Sequence, residues 1–156
     1  SMPLLSGARF SLNDWCGDTL RRPYVNKKRH VVVLSFWATY CVPCRKEIPE
    51  LMQFAKRHEK HPVKVVCVSI DKEGADIVRP HVRQEEYTLP VALDMYKRTA
   101  RKYGVKVIPA LVVIGPRGYV WHSSVGFDDK EDLGKKLERV LLMIRRGENA
   151  GRPDPG

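Results

Sequence analysis

The stretch Val31-Val32-Val33-Leu34-Ser35-Phe36-Trp37 leads almost at once into Cys41-Val42-Pro43-Cys44. The β-branched and aromatic run is apolar at nearly every position, so both of its faces must be covered, as in a central strand of an α/β sheet. A helix follows. Pro43 suits a first turn, where its missing N–H is not needed. Ile48, Leu51, Met52 and Ala55 then recur at helical spacing until Lys60-His61-Pro62 ends the pattern. Pro49 falls inside that helix and predicts a kink, because it removes one backbone bond. Strand, cysteine pair and helix in direct succession leave few architectures open.

The rest of the chain continues the alternation. Residues 63–70 read as a second buried strand ending at Asp71, and residues 74–86 as a helix in spite of Pro80. Residues 89–93 predict a short strand, 95–102 a helix closed by Gly104, and 110–114 another buried strand. Gly115-Pro116-Arg117-Gly118 is a turn signal, with residues 119–122 returning as a hairpin partner. Residues 129–145 predict a last helix. Its apolar stripe is Leu133, Leu137, Val140, Leu141 and Ile144, and Asp128 or Asp129 would cap its start. Residues 7–30 form a leading region in which Phe10, Leu12 and Trp15 could line a strand or an irregular ribbon. The expectation is an α/β fold, a central mixed sheet flanked by helices. It is one domain over 1–146, with a disordered Gly/Pro-rich tail over 147–156.

Charge narrows the partners. The chain carries 28 Lys/Arg against 18 Asp/Glu, a formal +10, and such a field favours an acidic partner or anionic lipid. The basic residues are scattered and lack the glycine-rich or aromatic interleaving of a nucleic-acid module, so no nucleic-acid partner is expected. No apolar run approaches the roughly 20 residues of a membrane span. The start, Ser1-Met2-Pro3-Leu4-Leu5-Ser6, has neither a basic nor an apolar signal region. Ser1 before Met2 reads as a cloning remnant, which leaves a natural leader or anchor, and membrane proximity through it, open.

The chain has four cysteines, Cys16, Cys41, Cys44 and Cys67. A thiolate zinc site usually takes two closely spaced pairs, and here there is one, with no histidine at matching spacing; neither a metal nor another cofactor is expected. A bridge for stability alone is poorly motivated, since so short a loop removes little unfolded-state entropy. What remains is thiol chemistry. Cys41 falls at the mouth of a helix, where free N–H groups and the helix dipole favour a thiolate. It would attack a partner disulfide, and the more buried Cys44 would resolve the mixed disulfide.

The block from Phe36 to Pro49 resembles the thioredoxin superfamily, and more closely its TlpA/ResA-like branch of thiol–disulfide oxidoreductases. The likeness extends over roughly residues 8–146. It implies a thioredoxin-like fold with an extra helix and strand between Asp71 and Tyr96. In that resemblance Cys41 is the exposed nucleophile, Cys44 the resolving thiol, and Pro109 a cis-proline facing the pair. Ile108 offers its backbone to a client strand, and Trp37 packs beneath the site. Trp37, Tyr40 and Pro43 join Ile108 and Pro109 as substrate-side residues. Glu47 matches an acid near the sulfurs that would pass protons to Cys44 with a pKa raised by burial; a solvated glutamate is the plainer alternative.

The chain departs from the family at several points. Tyr40 stands where the branch has tryptophan, which bears on partner choice. Ser35 stands where thioredoxin has a buried aspartate, so Glu47 matters more. Val42-Pro43 replaces Gly-Pro, a position that tunes the redox potential. Cys67 reads as a buried small hydrophobe. Cys16, in an irregular stretch, could be exposed and act as a second resolving thiol or an intermolecular bridge. Asp71 could cap the segment after its strand.

The expected function is reduction of protein disulfides by a monomer, including in cytochrome c maturation, in a periplasmic or extracytoplasmic compartment. Its partners would be protein disulfides or dithiols and a membrane electron donor. The alternatives are an oxidase of folding proteins, a peroxiredoxin-like peroxidase using Thr39, and a non-catalytic binding domain.

Overall fold

The computed structural model describes residues 1–149. In chain order the elements are β1 (Met2–Pro3), β2 (Arg9–Phe10), β3 (Val31–Trp37), α1 (Val42–Arg57), β4 (Val63–Ser69) and α2 (Ala75–Glu85). Then follow β5 (Val91–Leu93), α3 (Arg98–Lys102), β6 (Ala110–Ile114), β7 (Val120–Val125) and α4 (Leu133–Asn149). The main sheet has the order β5-β4-β3-β6-β7, and β1 and β2 pair separately. Strands β4 and β5 run parallel to their neighbours, while β6 and β7 are antiparallel. The mixed sheet agrees with the sequence reading, and the extra pair between Asp71 and Tyr96 is α2 plus the edge strand β5.

Alternation along β3 divides the core. Val31 and Val33 pack with Leu51 and Phe54 of α1 and with Leu137, Val140, Leu141 and Ile144 of α4. Val32, Leu34 and Phe36 turn to the opposite side, with Val66, Val68, Val112 and Ile114. Each such side chain, taken fully out of water, contributes on the order of 1.5–3 kcal/mol. Both faces of β3 are therefore load-carrying, which is why its sequence shows no polar alternation.

All functional geometry gathers at one end of this sheet. Trp37 pairs with Ser69, Ser69 with Leu93, and Phe36 with Ala110, which pairs onward with Val125. The segments after β3, β4, β5 and β7, and the one before β6, thus leave from or arrive at the same edge. Among the described residues no helix is long and apolar enough to cross a membrane.

Several boundaries differ from the sequence reading. α4 starts at Leu133 rather than 129, because Asp132 accepts the Lys135 N–H at 3.0 Å and is the residue that caps it. Asp128 instead accepts the Lys130 N–H in the preceding turn. α4 runs past 147, where the tail was expected to begin. Gly147 is buried within α4, and a Cβ there would come within 2.6 Å of the Trp121 ring, so this glycine seats the indole instead of ending the helix. Residues 150–156 of the expected tail lie outside the described residues.

α3 is shorter than expected. Asp94 takes the N–H groups of Thr99 and Ala100 at 3.2 and 2.9 Å, and residues 95–97 form the turn before it. β5 loses residues 89 and 90, since Pro90 has no N–H to give a ladder. α1 continues through Pro49, whose ring stays on the exposed side.

The leading region is irregular, as expected, but it is pinned. Asp14, in a 3-10 turn over Leu12–Asp14, accepts two hydrogen bonds from each of Arg21 and Arg22. The two guanidinium partners hold its carboxyl down to a pKa of about 2. The same turn carries Cys16 inward, 1% exposed, with its thiol 3.8 Å from the Leu12 carbonyl. The expected exposure of Cys16 is thereby corrected: burial leaves no sulfur surface for an intermolecular bridge. Its neighbours Trp15 and Gly17 bond His30 before β3 and Pro116 after β6, at the sheet end opposite the one where β3 runs into the cysteine pair, away from any resolving role.

Candidate active site

Cys41 and Cys44 are joined by a disulfide, with Cα atoms 5.3 Å apart. They stand where the chain passes from β3 to α1. Cys41 is the N-cap, and Val42, Pro43 and Cys44 make the first turn. The Cys44 N–H donates to Cys41 Sγ at 3.3 Å. One of the otherwise unpaired amides of the helix start is thus aimed at that sulfur, where it favours negative charge.

Cys41 is 7% exposed and Cys44 1%. The expected exposed nucleophile is therefore open to solvent only at its rim, because residues 38–41 close a turn through the Cys41 N–H and the Ala38 carbonyl, 3.1 Å apart. The order of access is as expected, with Cys44 the deeper sulfur.

Glu47 lies one turn beyond Cys44, on the buried side of α1, and is 1% exposed. The solvated alternative does not hold. Ser35, the lone polar residue of β3, donates its hydroxyl to Glu47 Oε1 at 2.9 Å. Burial pushes the Glu47 pKa up to about 7, against the opposing pull of the Ser35 bond and the Lys136 charge. Cys67 sits opposite Ser35 in the ladder and is fully buried, and its thiol pKa is pushed up by burial and then by the Glu47 charge. It is a core residue, as expected.

Ile108–Pro109 is a cis peptide. Ala110 pairs with Phe36, so Pro109 lies level with Trp37 at the sheet end from which Cys41 departs. Pro109 is buried and Ile108 half-buried. The Pro109 carbonyl accepts the Gly126 N–H at 2.7 Å, whereas among the described residues the Ile108 backbone has no partner within the chain.

Tyr40, 68% exposed, and Pro43 stand open to solvent on either side of Cys41. Trp37 does not. At 1% exposure it cannot touch a partner, and the expectation of a substrate contact is corrected: its ring packs 5.6 Å from His81 and 5.7 Å from Tyr87.

Asp71 is the residue that sequence reasoning undervalued. At 2% exposure it takes the Thr39 N–H at 3.1 and 3.2 Å, the Thr39 hydroxyl at 2.6 Å and the Ser69 hydroxyl at 2.7 Å. It does not cap α2, whose N-cap is Gly74 without a side-chain bond. It ties the end of β4 to the turn that presents Cys41, and the exposed Arg45 adds a bond to the Thr39 carbonyl at 3.1 Å. An acid at the carboxyl end of the strand next to the cysteine-bearing one was the available signal. Asp71→Ala would leave these donors unpaired and should cost about 2–4 kcal/mol in urea unfolding, with Thr39→Val costing about 1 kcal/mol. Equal stability of Asp71→Ala and wild type would refute this role.

The AhpC/TSA family profile matches residues 7–123. The thiol-disulfide oxidoreductase ResA of Bacillus cereus (strain ATCC 10987) is 31% identical over 110 residues, 70% of this chain and 62% of the relative. The chain thus spans less than two thirds of the length of that relative. The sporulation thiol-disulfide oxidoreductase A of Bacillus subtilis is 25% identical over 116 residues, 73% of this chain and 70% of the relative. Among solved structures, a Chlorobium tepidum protein provisionally assigned as thiol:disulfide interchange protein DsbE superposes with a TM-score of 0.69 at 30% identity, covering 78% of this chain and 84% of that one. StoA from Bacillus subtilis, at 21% identity, shares the fold with a TM-score of 0.68 over 90% of this chain and 93% of that one.

Proposed function

The chain belongs to the AhpC/TSA family of the thioredoxin superfamily, and on that footing we propose that it is a thiol–disulfide oxidoreductase of the ResA-like kind that reduces protein disulfides. The observation that carries this reading is the Cys41–Cys44 pair at the start of α1, at the sheet end where Ile108 keeps its backbone unpaired.

In the reduced protein the Cys41 thiolate attacks a client disulfide, forming a Cys41–client bond and releasing one client thiolate. Cys44 then attacks the Cys41 sulfur. This forms the Cys41–Cys44 bond, releases the second client thiol, and moves two electrons to the client. Glu47 supplies and takes the proton at Cys44. Ile108 pairs with the client backbone as an added strand, beside Pro109, Tyr40 and Pro43. A dithiol donor protein held at the membrane restores the thiols. Clients include disulfides of cytochrome c precursors, the compartment is extracytoplasmic, and the working unit is the monomer.

The buried carboxyl supports the reducing direction. An acid buried one helical turn past Cys44 disfavours a stable thiolate there, and an unstabilised reduced form lowers the reduction potential. Against a peroxidase stands Thr39, whose hydroxyl is committed to Asp71 at 2.6 Å. The test is equilibration with dithiothreitol or glutathione buffers followed by thiol counting. A potential of about −250 mV or lower supports the reductant. A value near −120 mV would turn the direction to oxidation, and the lack of a reversible couple would leave a binding domain.

A further inference from the structure

Residues 97–106, the segment that leads into the Val107-Ile108-Pro109 edge, hold Lys97, Arg98, Arg101, Lys102 and Lys106 and no acid. The first stands at the turn after β5, the next three on α3, and Lys106 one residue before Val107; all five are exposed. Bare apolar surface flanks them: Tyr96 is 71% exposed and Val107 58%, with Tyr40 at 68% and Val42 at 61% beside the cysteines. β5 ends and β6 begins at the sheet end where Cys41 stands, so the two ends of this segment, Tyr96 to Arg98 and Lys106 to Val107, border the site. Across Pro109 the sign changes. Gly126, bonded to the Pro109 carbonyl, opens a turn with Asp128, Asp129, Glu131 and Asp132 against Lys130 alone.

We propose that the strip 96–107 is the client-selecting surface and takes an acidic, extended protein segment next to the client disulfide. The inference rests on the oxidoreductase reading above and adds the chemistry of the client. Five exposed cations against the buried Asp94, which takes two N–H groups at the start of α3, attract a chain carrying Asp or Glu to the segment that leads to the unpaired Ile108 backbone and speed its encounter. Tyr96 and Val107 give it apolar anchorage. A flat anionic bilayer laid on the same end would also meet the acidic turn at 128–132 and be repelled there, whereas a single extended segment runs along the basic side alone.

The experiment uses reduced protein and two synthetic disulfide peptides that differ only in flanking Asp/Glu or Lys. Hydroxyethyl disulfide serves as a small neutral reference, and rates are expressed relative to it. At low salt the acidic peptide should react about tenfold faster than the basic one, and the gap should shrink as salt rises. Lys97→Glu/Arg98→Glu/Lys106→Glu should reverse the preference. Lys27→Glu/Lys28→Glu, before β3 at the other end of the sheet, should leave it intact.

Equal rates for the two peptides, or a reversal variant that keeps the wild-type preference, would overturn the proposal. So would binding to phosphatidylglycerol vesicles that the reversal variant loses while the peptides react alike, which would assign the strip to lipid. Failure of hydroxyethyl disulfide to react at all would instead remove the oxidoreductase reading, and this inference with it.

Discussion

Replacing Cys41 by serine should lower disulfide-reducing turnover by roughly 10⁴-fold or more, the scale on which loss of a covalent nucleophile acts, while Cys44→Ser should arrest the reaction as a mixed disulfide. The two variants differ because the sulfurs do. Cys41 is the N-cap, has the Cys44 amide aimed at it from 3.3 Å and retains a solvent-facing rim; Cys44 is 1% exposed and reaches a client only through Cys41. With an excess of a small disulfide client, Cys44→Ser should therefore build up close to one client adduct per protein, all on Cys41. Cys41→Ser should build up none. The buried Cys67 and Cys16, both 1% exposed, should stay unlabelled in either variant. Mass analysis of the trapped species settles the order. Adducts on Cys44 in Cys41→Ser at comparable rates would reverse the assignment, and insulin reduction by Cys41→Ser at the wild-type rate would remove thiol exchange as the activity.

The site was legible where its parts are neighbours in sequence. The strand, the cysteine pair and the helix form one continuous stretch, and the stripe Ile48, Leu51, Met52 and Ala55 marks which face of the helix turns inward. The pairing of Ser35 with Glu47 was half legible: a serine inside an apolar strand and an acid one helical turn past Cys44 are visible, but their contact depends on how α1 lies on the sheet.

What lies far apart in sequence was not legible. Thr39 and Asp71 meet because β3 and β4 end side by side, a fact of register rather than of composition. Gly147 looks like a helix stop until Trp121 is found resting on it. Cys16 looks exposed in a polar loop until the 3-10 turn rotates it inward. Trp37 was given a client contact through the resemblance, and burial on the sheet overrode that.

Glu47 gives a prediction of comparable size, in stability and in rate at once. Burial raises its pKa from the usual 4.5 to about 7. Below about 4.5 the carboxyl is protonated in the folded and unfolded chain alike, so it costs nothing. As pH rises toward 7, the unfolded chain releases the proton and the folded one keeps it, so stability falls, by about 3 kcal/mol once both states are ionised. Glu47→Gln cannot ionise and escapes that loss, although its amide N–H group gains a buried donor to satisfy, at about 1 kcal/mol or more. The variant should therefore be more stable than wild type by about 1–2 kcal/mol at pH 8.5, and no more stable, or less, at pH 5. Urea unfolding at the two pH values reads the crossover. In the same variant the resolving step should slow by about a hundredfold and lose its inflection near pH 7, since no carboxyl remains to exchange the Cys44 proton. The two readouts separate the roles: a stability crossover with an unchanged pH–rate profile would make Glu47 a buried structural acid, and an unchanged stability slope would mean that its ionisation is not resisted by burial at all.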